Sequence, residues 1–322
     1  MWRVGIDVGG TFTDLFAVEE TSGEIRTAKV LTVKHHLVEG VLHSLEQAAI
    51  QAADVRDLVH GSTTATNALI ERKLPRAAMI TTDGFRDTIE IGRQRRERLY
   101  DPYQRKERPL IPRRLRFTVH ERISARGEVV RPLDEREARD TIRRAQQAGV
   151  QTIAVCFLNA YVNGDHERRV RDLVGEIAPE IQVAISGETR PQFRELGRFA
   201  TTVVRAVLLP VIGDYLEELE RELAAHGFAG SLLVIKSNGG TMGAPLARER
   251  PEELIESGPA GGVAYACALS RQLGGHGKII HTDMGGTSFD VSIVEDGEGL
   301  ITHSRELWWD MPIITPTLDI RS

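Results

Sequence analysis

At 322 residues the chain is long enough for two domains with sizeable cores. Hydrophobic residues make up 41% and charged residues 27%, an ordinary balance for a soluble globular protein. A net charge of -5 excludes global attraction to nucleic acid or anionic lipid. Cys156 and Cys267 lie far apart in apolar runs and read as buried small hydrophobes, with neither a disulfide framework nor a thiolate metal site. The first residues enter a strand pattern at once, so no signal peptide is expected. No apolar run reads as long enough to span a membrane, which predicts a cytoplasmic address with no membrane partner.

Strand patterns at 2–8, 13–18 and 24–33 precede a helical pattern from Leu37 to Ala52. A short strand ending at His60, a helix from about Thr63 to Arg72 and a strand at Arg76–Thr81 follow. Strands followed by alternating helix and strand predict an α/β domain with a mixed sheet. From Gly92 to Arg116 the pattern lapses into an Arg-dense stretch with Pro102, Pro109 and Pro112. With no overall basicity to support nucleic-acid binding, it reads as a solvated or partner-facing insertion anchored by Tyr100 and Tyr103. Helix 134–148 into strand Thr152–Phe157, then helix 165–176 into strand Gln182–Ile185, continue the alternation. A helical region from Glu195 to His226 is kinked or divided at Pro210. Strand Ser231–Ile235 leads to the tight turn Ser237-Asn-Gly-Gly-Thr241, and Ser257-Gly-Pro-Ala-Gly-Gly262 opens a helix to about Gln272.

One segment recurs. Asp7-Val-Gly-Gly-Thr-Phe-Thr-Asp14 returns as Asp283-Met-Gly-Gly-Thr-Ser-Phe-Asp290, each copy between strand-like runs. Asp and Gly are common in any tight turn, but two copies in matching contexts point to two related half-domains. Glycine admits close backbone approach with φ values other residues resist, and exposed N–H groups of such a turn make an anion-binding concavity. Two hairpins facing each other would clamp a triphosphate. Gly9, Gly10, Thr11 and Gly285, Gly286, Thr287 would cradle the phosphates of a nucleotide. Asp7 and Asp283 would hold Mg²⁺ through water, and Thr13 would be a secondary contact. Asp14 and Asp290 either join the site or fix their hairpins. His60 and the hydroxyls of Ser62–Thr64 sit where a strand meets a helix, either capping it or reaching a substrate carbonyl or phosphate. Gly258, Gly261 and Gly262 either permit close helix packing or approach the nucleotide. The His35-His36 pair lacks metal-ligand spacing and reads as surface.

The strand order matches an RNase H-like half, the building block of the actin, sugar kinase and Hsp70 superfamily. Its second half would be incomplete, since several expected elements do not follow the last hairpin. The chain resembles the hydantoinase A/oxoprolinase family in Gly5–Asp14, His60–Leu69, Ile80–Asp87, Gly92-Arg-Gln, Ser237-Asn-Gly-Gly, Ser257–Gly262 and Asp283–Asp290, in family order. Ser62 stands where the family often has Thr, and both supply a hydroxyl. The resemblance implies an N-terminal domain at 1–185, with an insertion at about 92–133, and a truncated core domain at 186–322. The family's A-type subunit is about twice this length. It also implies an ATP-dependent cyclic amidohydrolase that phosphorylates a cyclic amide carbonyl oxygen, with Asp7, Asp283 and His60 as its catalytic residues. An acetone/acetophenone carboxylase acting on a ketone is the closest alternative. The B-type subunit with its own metal site would make a hetero-oligomer. A sugar kinase is less favoured because Ser237-Asn-Gly-Gly lacks a carboxylate base. A non-enzymatic ATP switch is the remaining alternative.

Overall fold

Along the first strand Trp2, Val4, Ile6 and Val8 face inward while Arg3 and Asp7 face out, the two-residue period of a half-buried strand. That alternation puts Asp7 on the open face of a sheet. The structure, a computed structural model, describes residues 1–33, 36–95, 98–275, 277–284, 289–306 and 311–321. Its elements begin with β1 (Trp2–Val8), β2 (Phe12–Glu19), β3 (Ile25–Leu31), α1 (Leu37–Gln47), β4 (Val55–Ser62) and α2 (Thr64–Ile70). Next come β5 (Ala77–Thr82), α3 (Thr88–Ile91), β6 (Arg116–Val119), β7 (Arg122–Ile123), β8 (Val129–Arg131), α4 (Glu135–Gln147) and β9 (Thr152–Cys156). Then follow α5 (Asp165–Ile177), β10 (Gln182–Ile185), α6 (Ser186–Thr189), α7 (Glu195–Ala225), β11 (Ser231–Ile235) and β12 (Thr241–Gly243). Helices α8 (Ala244–Glu249) and α9 (Ser257–Gln272) lead to β13 (Lys278–Met284), β14 (Phe289–Glu295) and short terminal strands.

Contacts divide the chain into two units that are discontinuous in sequence. Unit 1 comprises residues 1–71, 212–303 and 316–322; unit 2 comprises 72–211 and 304–315. In unit 1 a six-stranded sheet runs β12-β11-β4-β1-β2-β3. Strands β1, β2 and β3 form an antiparallel meander, while β4 and β11 run parallel to β1. A second sheet pairs β13 with β14 antiparallel. Helix α9 packs its Ala260, Val263, Ala266 and Cys267 into a core with Val294, Leu318 and Ile320, flanked by Ile235 of β11 and Ile279 of β13. One helix therefore touches both sheets.

Unit 2 is built on the parallel sheet β10-β9-β5-β6. Strand β9 is buried at every position, as a strand covered on both faces must be. Helix α4 starts at Asp134, whose carboxylate accepts the Glu137 N–H at 3.0 Å. Strand β6 lies inside the stretch expected to be an insertion. It is an integral member of the sheet, and sequence reasoning missed it because it is four residues long and opens on Arg116. Tyr100 and Tyr103 are 93% and 88% exposed, so they do not anchor that stretch.

Helix α7 carries the chain from unit 2 into unit 1 and is not divided at Pro210. Proline removes one backbone bond, yet Ala206, Val207, Leu208 and Ile212 around it are buried and hold the helix together. By length and composition α7 would suffice to cross a membrane, contrary to the expectation that no run was long enough. Of its apolar stretch, 67% is buried inside the protein, as in a core helix.

Candidate functional site

The first repeat is the hairpin between β1 and β2, with Asp7 opposite Asp14 and Val8 opposite Thr13. Gly9 N–H donates to the Phe12 carbonyl at 3.0 Å and closes the turn. Thr32, just past the end of β3, steadies it: its N–H donates to the Thr11 carbonyl and its hydroxyl to the Gly9 carbonyl, both at 2.9 Å. Gly10 and Thr11 are exposed, and a Cβ on Gly10 would meet nothing within 4 Å. Neither Gly9 nor Gly10 has positive φ. What this pair supplies is uncovered backbone, not the unusual dihedrals expected of it. Thr13 is wholly buried on the opposite face, its hydroxyl 3.1 Å from that of Thr32. Its side chain is turned away from the face that carries Asp7.

The second repeat has the same register. Asp283 is opposite Asp290 and Met284 opposite Phe289. Gly285, Gly286 and Thr287 lie outside the described residues, as does His35. Asp290 is buried, whereas its counterpart Asp14 is half-exposed and ion-paired with Lys29 at 2.7 Å.

Around Asp7 the chain is stripped of side chains. A Cβ on Gly61 of β4 would stand 2.9 Å from Asp7 Oδ1, and one on Gly258 of α9 would stand 3.1 Å from it. Gly262 faces the His281 ring, where a Cβ would stand 2.9 Å away, and Gly261 faces Ile235 at 3.1 Å. These glycines let α9 close on both hairpins at once, so close packing and nearness to Asp7 come together. Solvent touches the Asp7 side chain, yet the surrounding protein displaces much of its hydration. Burial first, then the charges of Asp14 and Asp283, push its carboxyl up to about 6, with Lys29 opposing weakly. The two repeats therefore bring Asp7 and Asp283 within electrostatic reach.

Such a pair fits a hydrated Mg²⁺, which takes one or two carboxylates and completes its shell with water and phosphate oxygens. A cation there would relieve the repulsion that raises Asp7. Among the described residues no group of three or more His, Cys, Asp or Glu could form a cage by itself.

At the end of β4, Ser62 and Ser257 are coupled: the Ser257 hydroxyl donates to the Ser62 carbonyl at 2.8 Å. Glu256, just before α9, is left-handed with φ 61°, and its N–H donates to the Thr66 hydroxyl at 2.8 Å. Thr64 N–H donates to the Ser62 hydroxyl at 3.1 Å, a turn just ahead of α2, whose N-cap Thr63 makes no side-chain capping bond. His60 is wholly buried, with Nε2 2.8 Å from the Tyr215 hydroxyl and the Ile6 backbone beside the ring. Burial pulls its pKa down to about 4, so the ring is neutral. A cavity of about 10 Å³, room for one water, lies among His60, Ser62, Tyr215 and Ser257. Sequence reasoning missed Gly61 and Tyr215. A glycine inside a strand was the available signal for the first, and nothing local marked the second.

Residues 3–178 match the hydantoinase/oxoprolinase N-terminal region, and residues 198–322 match hydantoinase/oxoprolinase. An uncharacterized protein of Methanocaldococcus jannaschii is 38% identical over 309 residues, covering 95% of this chain and 45% of that protein. Caprolactamase subunit alpha of Pseudomonas jessenii is 33% identical over 306 residues, 92% of this chain and 44% of its own. The crystal structure of ATP-dependent caprolactamase from that organism matches with a TM-score of 0.86 and 30% identity, over 99% of this chain and 47% of that one. A nucleotide-free structure of acetone carboxylase, described with the mechanism of ATP-dependent acetone carboxylation, matches with a TM-score of 0.88 and 28% identity. It covers 99% of this chain and 47% of that one. The chain thus spans less than half the length of these relatives. Both family matches, taken together, run through nearly all its residues, and the chain belongs to the hydantoinase/oxoprolinase family.

Proposed function

We propose that the chain forms the phosphate-binding part of the A-type subunit of a cytoplasmic, ATP-dependent cyclic amidohydrolase. The observation that carries this reading is the pair of hairpins in one register, with Asp283 close enough to add to the cost of ionising Asp7. The order β3-β2-β1-β4-β11, with β2 antiparallel to its neighbours, supports an RNase H-like fold of the actin and Hsp70 type.

An amide carbonyl is a poor electrophile. Transfer of the γ-phosphoryl of ATP to its oxygen, with ADP leaving, gives a phosphorylated imidate. Water adds to that carbon and the C–N bond breaks, with the proton going to the leaving nitrogen, which opens the ring to an acyl phosphate; a second water then displaces phosphate and leaves the carboxylate. The chain's part is to position and to neutralise. Gly9, Gly10 and Thr11, with Gly285, Gly286 and Thr287, would present N–H and hydroxyl groups to the phosphates. Asp7 and Asp283 would hold Mg²⁺, which when bound supplies neutralisation of phosphate charge. Gly258 and Gly261 would keep the approach to Asp7 open, Thr13 would support the first turn from behind, and His60 would act near the substrate through Tyr215 and Ser62.

A ketone carboxylase is the second reading, favoured by the match to acetone carboxylase. In either case a B-type subunit as partner in a hetero-oligomer accords with the description of the caprolactamase relative as a subunit. The test is phosphate release by the full-length protein, with and without that partner, across cyclic amides and ketones. Stimulation by a lactam supports hydrolase, stimulation by a ketone with bicarbonate supports carboxylase, and stimulation by neither refutes both.

A further inference from the structure

Unit 2 carries a cleft of about 870 Å³ between β6 and α4, lined by Arg86, Arg113, Arg114, Arg116, Arg136 and Arg144. Its three carboxylates are all engaged elsewhere. Asp134 caps α4 by accepting the Glu137 N–H at 3.0 Å. Glu137 accepts the His120 N–H at 2.7 Å and lies 2.9 Å from its ring Nδ1. Asp140 accepts from Arg143 at 3.0 Å.

The guanidinium groups are less well matched. Arg113 donates twice to Asp87, at 2.9 and 3.0 Å. Arg116 donates Nη2 to Glu90 at 2.6 Å and Nε to the Ile111 carbonyl at 2.8 Å. Its side chain is 1% exposed, yet its Nη1 makes no hydrogen bond, with Asp87 Oδ1 standing 3.8 Å away. Arg86 Nε is also buried and unbonded. Arg144 lies over the Phe117 ring at 5.1 Å. Among the described residues Arg114, Arg136 and Arg144 form no ion pair, and Arg86 feels the charge of Asp87 without bonding to it.

Buried donors left unbonded are costly, and a cluster of them is not retained for stability. Guanidinium groups converging on a cavity of small-molecule size match the planar or tetrahedral oxygens of carboxylate and phosphate. We propose that this cleft binds a small, multiply charged oxyanion, its anionic groups phosphate or carboxylate, with the exposed Arg114 and Arg136 as its donors and the buried guanidinium of Arg116 and the partly buried one of Arg86 adding positive charge behind them. None of these residues belongs to the hairpins, so the proposal stands apart from the nucleotide reading.

The test uses the full-length protein in EDTA, with pyrophosphate and citrate as probes. Phenylglyoxal labelling of arginines, read by mass spectrometry, should show at least one probe protecting Arg114 and Arg136. The double variant Arg114→Gln/Arg136→Gln, at exposed positions, should keep its melting temperature and bind that probe about tenfold or more weakly by calorimetry. Protection by pyrophosphate alone identifies phosphate, and protection by citrate alone identifies carboxylate. Protection by neither, or wild-type affinity in the folded double variant, overturns the proposal.

Discussion

Gly258, the second residue of α9, lies directly against the carboxylate of Asp7: a Cβ there would stand 3.1 Å from Oδ1. The glycine joins helix packing to the charge at the end of β1. Gly258→Val is expected to displace Asp7 and weaken Mg-ATP binding about tenfold or more, with the circular dichroism spectrum unchanged. Calorimetric titration of the full-length protein checks this, and undiminished affinity would remove α9 from the site.

Asp7→Asn and Asp283→Asn should each lower ATP-dependent turnover by about 100-fold or more, since each removes a carboxylate from the cation. Both should remain folded. Wild-type phosphate release by either variant would refute the assignment.

Asp7 also gives a pH dependence whose sign is fixed by its raised pKa. The folded chain holds the Asp7 proton more tightly than the unfolded chain, where the ordinary value is 3.8. Stabilisation from that proton is complete below pH 3.8 and lost as pH rises through about 6. Asp7→Asn is therefore expected to raise the melting temperature above pH 6 and leave it unchanged near pH 3.8. Apparent Mg²⁺ affinity of the wild type should fall as pH drops through about 6, because cation and proton compete for the carboxylate. An affinity flat across that range would contradict the placement of Asp7.

His60 runs the other way. Its folded pKa of about 4 lies below the ordinary 6.5, so its contribution is present above pH 6.5 and is lost as pH falls through about 4. That lost stability is on the order of 3 kcal/mol. Tyr215→Phe, which leaves Nε2 without its partner, should cost about 1–3 kcal/mol by urea denaturation at neutral pH. A variant as stable as the wild type would show that the bond is not formed in solution.

In unit 2, buried Glu167 accepts from Phe157 N–H at 2.7 Å, the Ser186 hydroxyl at 2.6 Å and Gly187 N–H at 2.7 Å. Arg198, wholly buried, donates to Ser186, Phe157 and Gln192. Glu167→Ala leaves three donors without their acceptor and takes away the charge that Arg198 feels, and is expected to cost about 3–5 kcal/mol. Glu167→Gln keeps an acceptor oxygen and should cost less. Equal losses in chemical denaturation would show that the hydrogen bonds do not matter.

Local pattern determined a great deal. The repeat of Asp-x-Gly-Gly-Thr, strands Gln182–Ile185 and Ser231–Ile235 and helix Ser257–Gln272 are legible because alternation, helical period and Gly-rich turns are written in neighbouring residues. Strand β6 was not, since Arg116 carries a charge into a buried place that only its tertiary partners, Glu90 and the Ile111 carbonyl, compensate. Nor could adjacency say that Thr13 turns into the core against Thr32, or that His60 ends its path at Tyr215, 155 residues later. Which aspartates share one field was decided by α9, whose glycines bring the ends of β1 and β13 to a single helix. The physical reason is range: backbone propensity acts over a few residues, whereas charge and close packing act across whatever the fold brings together.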